Sequence, residues 1–379
     1  MVKRIYFDNA ATTPLDPAVI ETMTQVMQNN YGNPSSIHAD GRKSRTLIES
    51  ARKIVANRLK SSVSEIFFTS GGTESNNTAL KCAVRDLGVQ RIISSAVEHH
   101  CILHTLDRLA SEGVEVVYCA TKNCGEVDYE ALEGHLAAGD KKTLVSLMHA
   151  NNEVGTINDI ARISTACQKH DALFHTDSVQ TIGFREIDLT KIKINFLSGS
   201  AHKFYGPKGV GFLYVNGENQ LKPYIDGGSQ ERNMRAGTEN IYGICGLAKA
   251  MDLACANMEE RVAHIRKLNV HAREKLMAAI PGISFNGPAS VDGGLEKVLN
   301  VNFPNSSKSD MLMLHMDIAG ICASGGSACS SGSETGSHVI NALSKVSTIE
   351  GKPVRLSFSH KNTTEEIDYL VEKLVGVVG

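Results

Sequence analysis

No apolar run in this 379-residue chain approaches the ~20 residues that a membrane-spanning helix requires. The opening Met-Val-Lys-Arg-Ile-Tyr-Phe-Asp-Asn lacks the apolar core and small-residue cleavage site of a secretory signal. Charge of one sign is also missing. The 39 Lys and Arg against 41 Asp and Glu leave a net −2, which predicts no direct nucleic-acid binding. The nine cysteines contain no C-x-x-C pair, and an odd, scattered set is not a disulfide framework. Most are expected to be small buried hydrophobes in a reducing compartment, with the cytoplasm as the default. Repeats and low-complexity tracts are absent too.

What is present describes an ordinary folded protein, with 42% hydrophobic and 21% charged residues. The length predicts one large domain plus a smaller one. Short β-like runs at Ile66–Thr69, Arg91–Ser95, Val114–Cys119, Thr143–His149, Ala172–Thr176, Ile194–Ser198 and Val210–Val215 alternate with helical patterns. Examples are Ile48 to Leu59, Tyr129–Leu136 and Ile160–His170. Such alternation predicts an α/β protein with a mainly parallel sheet covered on both faces. From Tyr242 towards Ile280 the pattern becomes one long helical stretch, read as the link into a C-terminal domain of roughly a hundred residues.

Several segments carry chemistry. Ser198–Gly211 reads S-G-S-A-H-K-F-Y-G-P-K-G-V-G. Lys203 can form a Schiff base with an aldehyde if held and partly desolvated. Ser198, Ser200 and His202 offer donors, and Gly206, Gly209 and Gly211 allow sharp turns and close approach. An amine beside phosphate donors points to pyridoxal phosphate. Taken alone, the segment equally fits a Gly-rich surface turn with an exposed lysine. Thr69-Ser70-Gly71-Gly72-Thr73-Glu74-Ser75-Asn76 follows a strand and opens a helix, where backbone N–H groups favour an anion. Its spacing is neither the mononucleotide P-loop nor G-x-G-x-x-G. A helix start capped by Thr73 or Ser70 is the alternative.

His175-Thr176-Asp177-Ser178-Val179-Gln180 lies at the carboxyl end of a predicted strand, where open α/β sheets bind ligands. Asp177 there could keep a pyridine nitrogen protonated and Gln180 could bond the ring hydroxyl, or Asp177 could merely cap the next turn. Glu98-His99-His100-Cys101-Ile102-Leu103-His104 places His100 and His104 one helical turn apart, but H-E-x-x-H is absent and no compact third ligand follows, so no metal is expected. His99 is a candidate ring-stacking acid/base or a satisfied polar residue. Cys329, in Ala323-Ser324-Gly325-Gly326-Ser327-Ala328-Cys329-Ser330-Ser331-Gly332, has small, polar, flexible neighbours. That suits a mobile thiol that visits a site, as well as an exposed thiol in a linker. Arg355 puts a guanidinium, matched to a carboxylate, into the β-like run Lys352–Ser357; a surface arginine on an edge strand is the other option.

The order of these pieces is specific. Y-F-D-N-A-A-T-T-P, T-S-G-G-T-E-S-N-N, E-H-H, M-H-A-N-N-E-V-G, D-S-V-Q, S-A-H-K-F-Y-G-P-K-G, R-A-G-T-E-N, G-S-A-C and V-R-L-S follow one another along nearly the whole chain. This series resembles the pyridoxal-phosphate cysteine desulfurases of the iron–sulfur-cluster and nitrogen-fixation type, in the class-V aminotransferase family. The resemblance implies the aspartate-aminotransferase fold (fold type I) and a homodimer. It implies a large cofactor-binding domain over 14–250, and a small domain from 1–13 and 251–379 carrying the mobile cysteine loop at about 323–336. Lys203 matches the Schiff-base lysine, Asp177 the pyridinium partner and Gln180 the ring-hydroxyl contact. Thr73, Ser200 and His202 match phosphate ligands, with Gly72 supplying backbone and Thr238 a contact from the neighbouring subunit.

The resemblance further makes His99 the stacking acid/base and Asn152 a residue near the ring and the substrate carboxylate. Arg355 becomes the carboxylate clamp, with Asn33 of N-P-S-S-I-H as a second contact, and Cys329 the sulfur-accepting nucleophile. The implied reaction takes sulfur from L-cysteine, leaving L-alanine and a persulfide on Cys329 for a scaffold or carrier protein that serves iron–sulfur assembly or thiolation. A mobile thiol argues against a simple aminotransferase. Two features depart from the pattern. The loop reads S-G-G-S-A-C where S-S-G-S-A-C is common, which predicts added mobility, and the chain stops at Val377-Val378-Gly379, where scaffold-docking relatives usually have a longer tail.

Overall fold

The computed structural model describes residues 4–305, 309–325, 336–344 and 351–378. After a two-residue strand, β1 (Ile5–Tyr6), seven strands form the main sheet: β2 (Ile66–Thr69), β3 (Arg91–Ser95), β4 (Glu115–Cys119), β5 (Thr143–Ser146), β6 (Leu173–Asp177), β7 (Phe196–Ser200) and β8 (Gly211–Val215). Their order is β2-β8-β7-β6-β5-β3-β4. Strands β3, β5, β7 and β8 are buried along their whole length, as expected where helices cover both faces, whereas in edge strand β4 only Cys119 is buried.

Pairing is parallel from β4 through β3, β5 and β6 to β7, while β8 runs antiparallel to both β7 and β2. The reason lies in the connection. Only residues 201–210 join β7 to β8, too few for a parallel crossover helix. That short return is the segment holding Lys203, so the sequence feature that offers the amine also sets the direction of β8. The carboxyl ends of β3, β5, β6 and β7 then lie on one edge of the sheet and feed residues 96–99, 147–152, 177–180 and 200–203 towards a common space.

A second core lies beyond this edge. Strands β9 (Ser284–Asn286), β10 (Val298–Phe303) and β12 (Lys352–Ser357) form an antiparallel sheet with β10 central, and β11 (Ile321–Cys322) pairs in parallel with β1. Phe7 of the N-terminal segment packs here with Leu268, Leu276, Val301, Phe303, Leu356 and Phe358. Each such fully buried side chain contributes about 1.5–3 kcal/mol.

The helical stretch beginning near Tyr242 is not continuous. It is two helices, Ile241–Ala256 and Met258–Ala279, broken at Asn257 (φ −112°, ψ 24°). Ile244, Leu247 and Met251 join the core of the main sheet, while Ile265, Leu268 and Leu276 join the second core. One straight helix would not present its apolar stripe to both. Among the described residues, no helix is long and apolar enough to cross a membrane.

Candidate active site

Lys203 ends a 3₁₀ turn, Ala201–Lys203, that leaves β7 directly. Its Nζ donates to the carbonyls of Ala10 and Ala11, each at 2.7 Å. The turn is tightly made: a Cβ on Gly211 would lie 2.5 Å from the Gly199 carbonyl oxygen and 2.7 Å from Gly71 Cα. The exposed surface lysine is thereby excluded, since Lys203 lines a cavity of ≈ 250 Å³ at the carboxyl edge of the sheet.

Gly72, Thr73, His99, Asn152, Asp177, Gln180, Ser200, His202 and Arg355 line the same cavity. The helix Gly72–Leu87 opens onto it with Gly71 as N-cap, and among the described residues no side chain caps its first turn. Neither Ser70 nor Thr73 plays the capping role that the sequence left open. Uncapped N–H groups at the positive end of a helix dipole suit a phosphate. A Cβ on Gly72 would stand 2.7 Å from Val179 Cγ2, so a larger residue here would have to displace that side chain. Ser200 Cβ would lie 3.7 Å from a Cβ on Gly72, and His202 lines the same cavity. Burial, and then the charge of Lys203, push the His202 pKa down to about 3, so its imidazole is neutral, and Nδ1 meets Thr12 Oγ1 at 3.1 Å.

Asp177 is the last residue of β6. Its Oδ2 accepts from Asn76 Nδ2 at 2.7 Å and its Oδ1 from the Val179 N–H at 3.0 Å. Asn76 is held in turn, its Oδ1 lying 3.2 Å from Nε2 of the fully buried His175. Burial drops the His175 pKa to about 3, so this ring is neutral and fit to donate. Asn76 is a positioning residue that sequence reasoning missed. The available signal was its place one helical turn after Thr73 on the same face. Gln180 gives Nε2 to the Ala10 carbonyl at 3.0 Å, and its buried Oε1 has no hydrogen-bond partner among the described residues.

His99 caps the helix His100–Ser111, with Nδ1 accepting the Cys101 N–H at 3.2 Å. That bond places the ring proton on Nε2. Burial, partly offset by Asp177, holds the imidazole below its ordinary value and hence neutral at pH 7. Cys101 Sγ lies 3.0 Å from the same ring, but burial raises its thiol to about 12, so it is no thiolate. Just behind, Glu98 is fully buried and its pKa is raised to about 8 by desolvation. His100 and His104 have ring centroids 5.2 Å apart, and among the described residues no three His, Cys, Asp or Glu side chains converge as a metal-binding set.

Arg355 sits on β12, which is indeed an edge strand, yet the residue is only 1% exposed. The surface-arginine option fails. The guanidinium donates to the Asn152 carbonyl at 3.1 Å and to Asp8 Oδ1 at 2.8 Å. The structure does not bring every expected residue here. Asn33 is exposed, accepts the Ser35 N–H in a local turn, and does not line the cavity; Thr238 is exposed and does not line it either. Cys329 and most of its loop, 326–335, lie outside the described residues.

Glycine-tight approach, an uncapped helix start, an oriented carboxylate and an orphaned buried amide oxygen together fit pyridoxal phosphate, with Lys203 as the amine that would hold its aldehyde.

Residues 5–370 match the family model described as Aminotransferase class-V. The cysteine desulfurase IscS of Dictyoglomus turgidum is 40% identical over 381 residues, covering 100% of this chain and 95% of that protein. A solved NifS-like protein superposes with a TM-score of 0.90 at 37% identity, covering 99% of both chains. A second structure, SspA in complex with cysteine, gives 0.81 at 35% identity over 95% of this chain and 100% of that one. The family match, the identity along the whole chain and the shared fold agree: the chain belongs to the class-V aminotransferase family and, within it, to the pyridoxal-phosphate-dependent cysteine desulfurases.

Proposed function

We propose that this chain takes the sulfur atom from L-cysteine, releases L-alanine, and holds the sulfur as a persulfide on Cys329 for transfer to an acceptor protein. The observation that carries the reading is the convergence of Lys203, Asp177, Gln180, Arg355 and an uncapped helix start on one cavity. Pyridoxal phosphate, when bound, supplies an electron sink for bonds at the substrate Cα. Gly72, Thr73, Ser200 and His202 would hold its phosphate, with Thr238 reaching it from a second copy. Asp177 would hold its ring nitrogen, Gln180 its hydroxyl and Lys203 its aldehyde.

The remaining chemistry belongs to side chains. Lys203 Nζ carries the proton removed from Cα. His99, neutral with Nε2 protonated, would hand that proton to the substrate or take one from it in the cavity. Arg355 takes the substrate carboxylate, assisted by Asn152. The Cys329 thiolate attacks the substrate sulfur; the S–C bond breaks, and its electron pair stays with the fragment that is protonated to L-alanine.

The same reading includes a homodimer, supported by the exposed apolar side chains Ile20, Met27, Tyr31 and Ile37. It includes the division into a large domain over 14–250 and a small one from 1–13 and 251–379, supported by the two separate cores. It also includes a cytoplasmic location, supported by eight free cysteines among the described residues.

One experiment addresses the core of it. The purified protein should be yellow and lose its visible band on borohydride reduction, with the added mass on Lys203. Cys329→Ala should keep that band yet release no alanine from L-cysteine. A colourless protein, or unchanged alanine release from the variant, ends the assignment.

A further inference from the structure

Arg355 is already met by a carboxylate of its own chain. One terminal nitrogen donates to Asp8 Oδ1 at 2.8 Å, the other to the Asn152 carbonyl at 3.1 Å, and its buried Nε has no hydrogen-bond partner among the described residues. The same Asp8 oxygen accepts the Ser324 hydroxyl at 2.8 Å. Ser324 in turn pairs its backbone N–H and C=O with Arg355, at 3.2 and 2.7 Å. Asp8 is thus fixed from two sides. A guanidinium presents five N–H donors in a rigid fork, so the two contacts made here leave others for a second carboxylate.

We infer that Asp8 is a positioning residue that sets how tightly the site grips a carboxylate: it holds one arm of the Arg355 fork and, by its own charge, weakens the hold on the substrate. This rests on reading Arg355 as the contact for the substrate carboxylate. Two like charges on one guanidinium oppose each other, and more so away from bulk water. The purpose follows from the reaction. L-Cysteine and L-alanine carry the same carboxylate, so an unopposed Arg355 would retain product as firmly as it captures substrate. Asp8 keeps both exchangeable.

Asp8→Asn preserves shape and the acceptor for Arg355 and Ser324 while removing the charge. In the holoenzyme, the KM for L-cysteine and the inhibition constant of L-alanine should both fall, by about tenfold. Cysteamine, the same aminothiol without a carboxylate, is the control. Its binding, followed by titrating the holoenzyme's visible band, should stay within about twofold of wild type, because only carboxylate ligands feel Asp8. Asp8→Glu, which restores the charge, should return all constants towards wild type. An equal shift for cysteamine, or alanine constants that do not fall in Asp8→Asn, overturns the role of Asp8. Arg355→Gln tests the underlying reading separately. It should weaken L-cysteine and L-alanine and spare cysteamine; if it spares all three, Arg355 is not the carboxylate contact and the inference falls with that reading.

Discussion

Glu98 shows what a single residue's surroundings do to its chemistry. It sits beside His99 with Oε1 accepting from Ser95 Oγ and the Met148 N–H, and its Oε2 is buried without a hydrogen-bond partner among the described residues. Desolvation raises its pKa from 4.5 to about 8, so the folded chain keeps this carboxyl protonated at neutral pH while the unfolded chain ionises it. Between those values the folded state holds the extra proton. The group's contribution to stability therefore falls as pH rises from 4.5 to about 8, by up to about 1.4 kcal/mol per pH unit, and is level above. Glu98→Gln has nothing to ionise, so the variant should gain on wild type steadily across that window. Melting temperatures recorded from pH 5 to 9 check this; parallel curves would refute it. Little of it was legible in E-H-H, because burial is a property of the fold and not of the triplet.

Among the elements, the contact between the helix Ala39–Leu59 and strand β2 depends on a buried ion pair. Arg52 donates to both carboxylate oxygens of Glu231, at 2.6 and 2.9 Å, and to the Ile66 carbonyl at 2.8 Å; Glu231 also accepts the Phe68 N–H at 2.8 Å. Glu231 meets them from a turn in which it and Arg232 adopt left-handed φ values of 45° and 57°. Arg52 Nε keeps the solvent-exposed Glu49 at 3.2 Å, but removing Glu231 takes away its buried bidentate partner, so Glu231→Ala should cost about 3 kcal/mol in urea denaturation. The double variant Arg52→Met, Glu231→Leu should lose less than Glu231→Ala, since no unpaired charge remains. A larger loss in the double variant would contradict this account. The strands themselves were readable: apolar β-branched runs located all seven within a few residues, and Asp177 was correctly placed at a strand end. The antiparallel return of β8 and the break at Asn257 were not, because both answer to partners outside their own segments.

At the scale of the whole molecule, the proposed dimer has a direct consequence. Ile37 is 91% and Tyr31 79% exposed, and Thr238 is exposed and does not line the cavity of its own chain. Sedimentation should give about twice the 40.8 kDa chain mass. Ile37→Asp with Tyr31→Asp should yield a monomer that loses the yellow cofactor on dialysis, as its phosphate lacks the second copy's Thr238. A wild-type monomer that retains cofactor would rule the shared site out.

The sequence by itself determined the α/β class and the family, and named the candidates for the local cradle. Lys203, Asp177, Gly72 and Thr73 each lie in a short motif whose chemistry depends on near neighbours and on a strand end. Only the tertiary structure decided what those residues touch. Lys203 reaches carbonyls 193 and 192 positions away, and Arg355 meets Asp8 across 347 positions. No periodicity carries such pairings, because they arise when the N-terminal segment packs into the second core. The lysine and the arginine were legible as chemistry; the chain that holds them became visible only on folding.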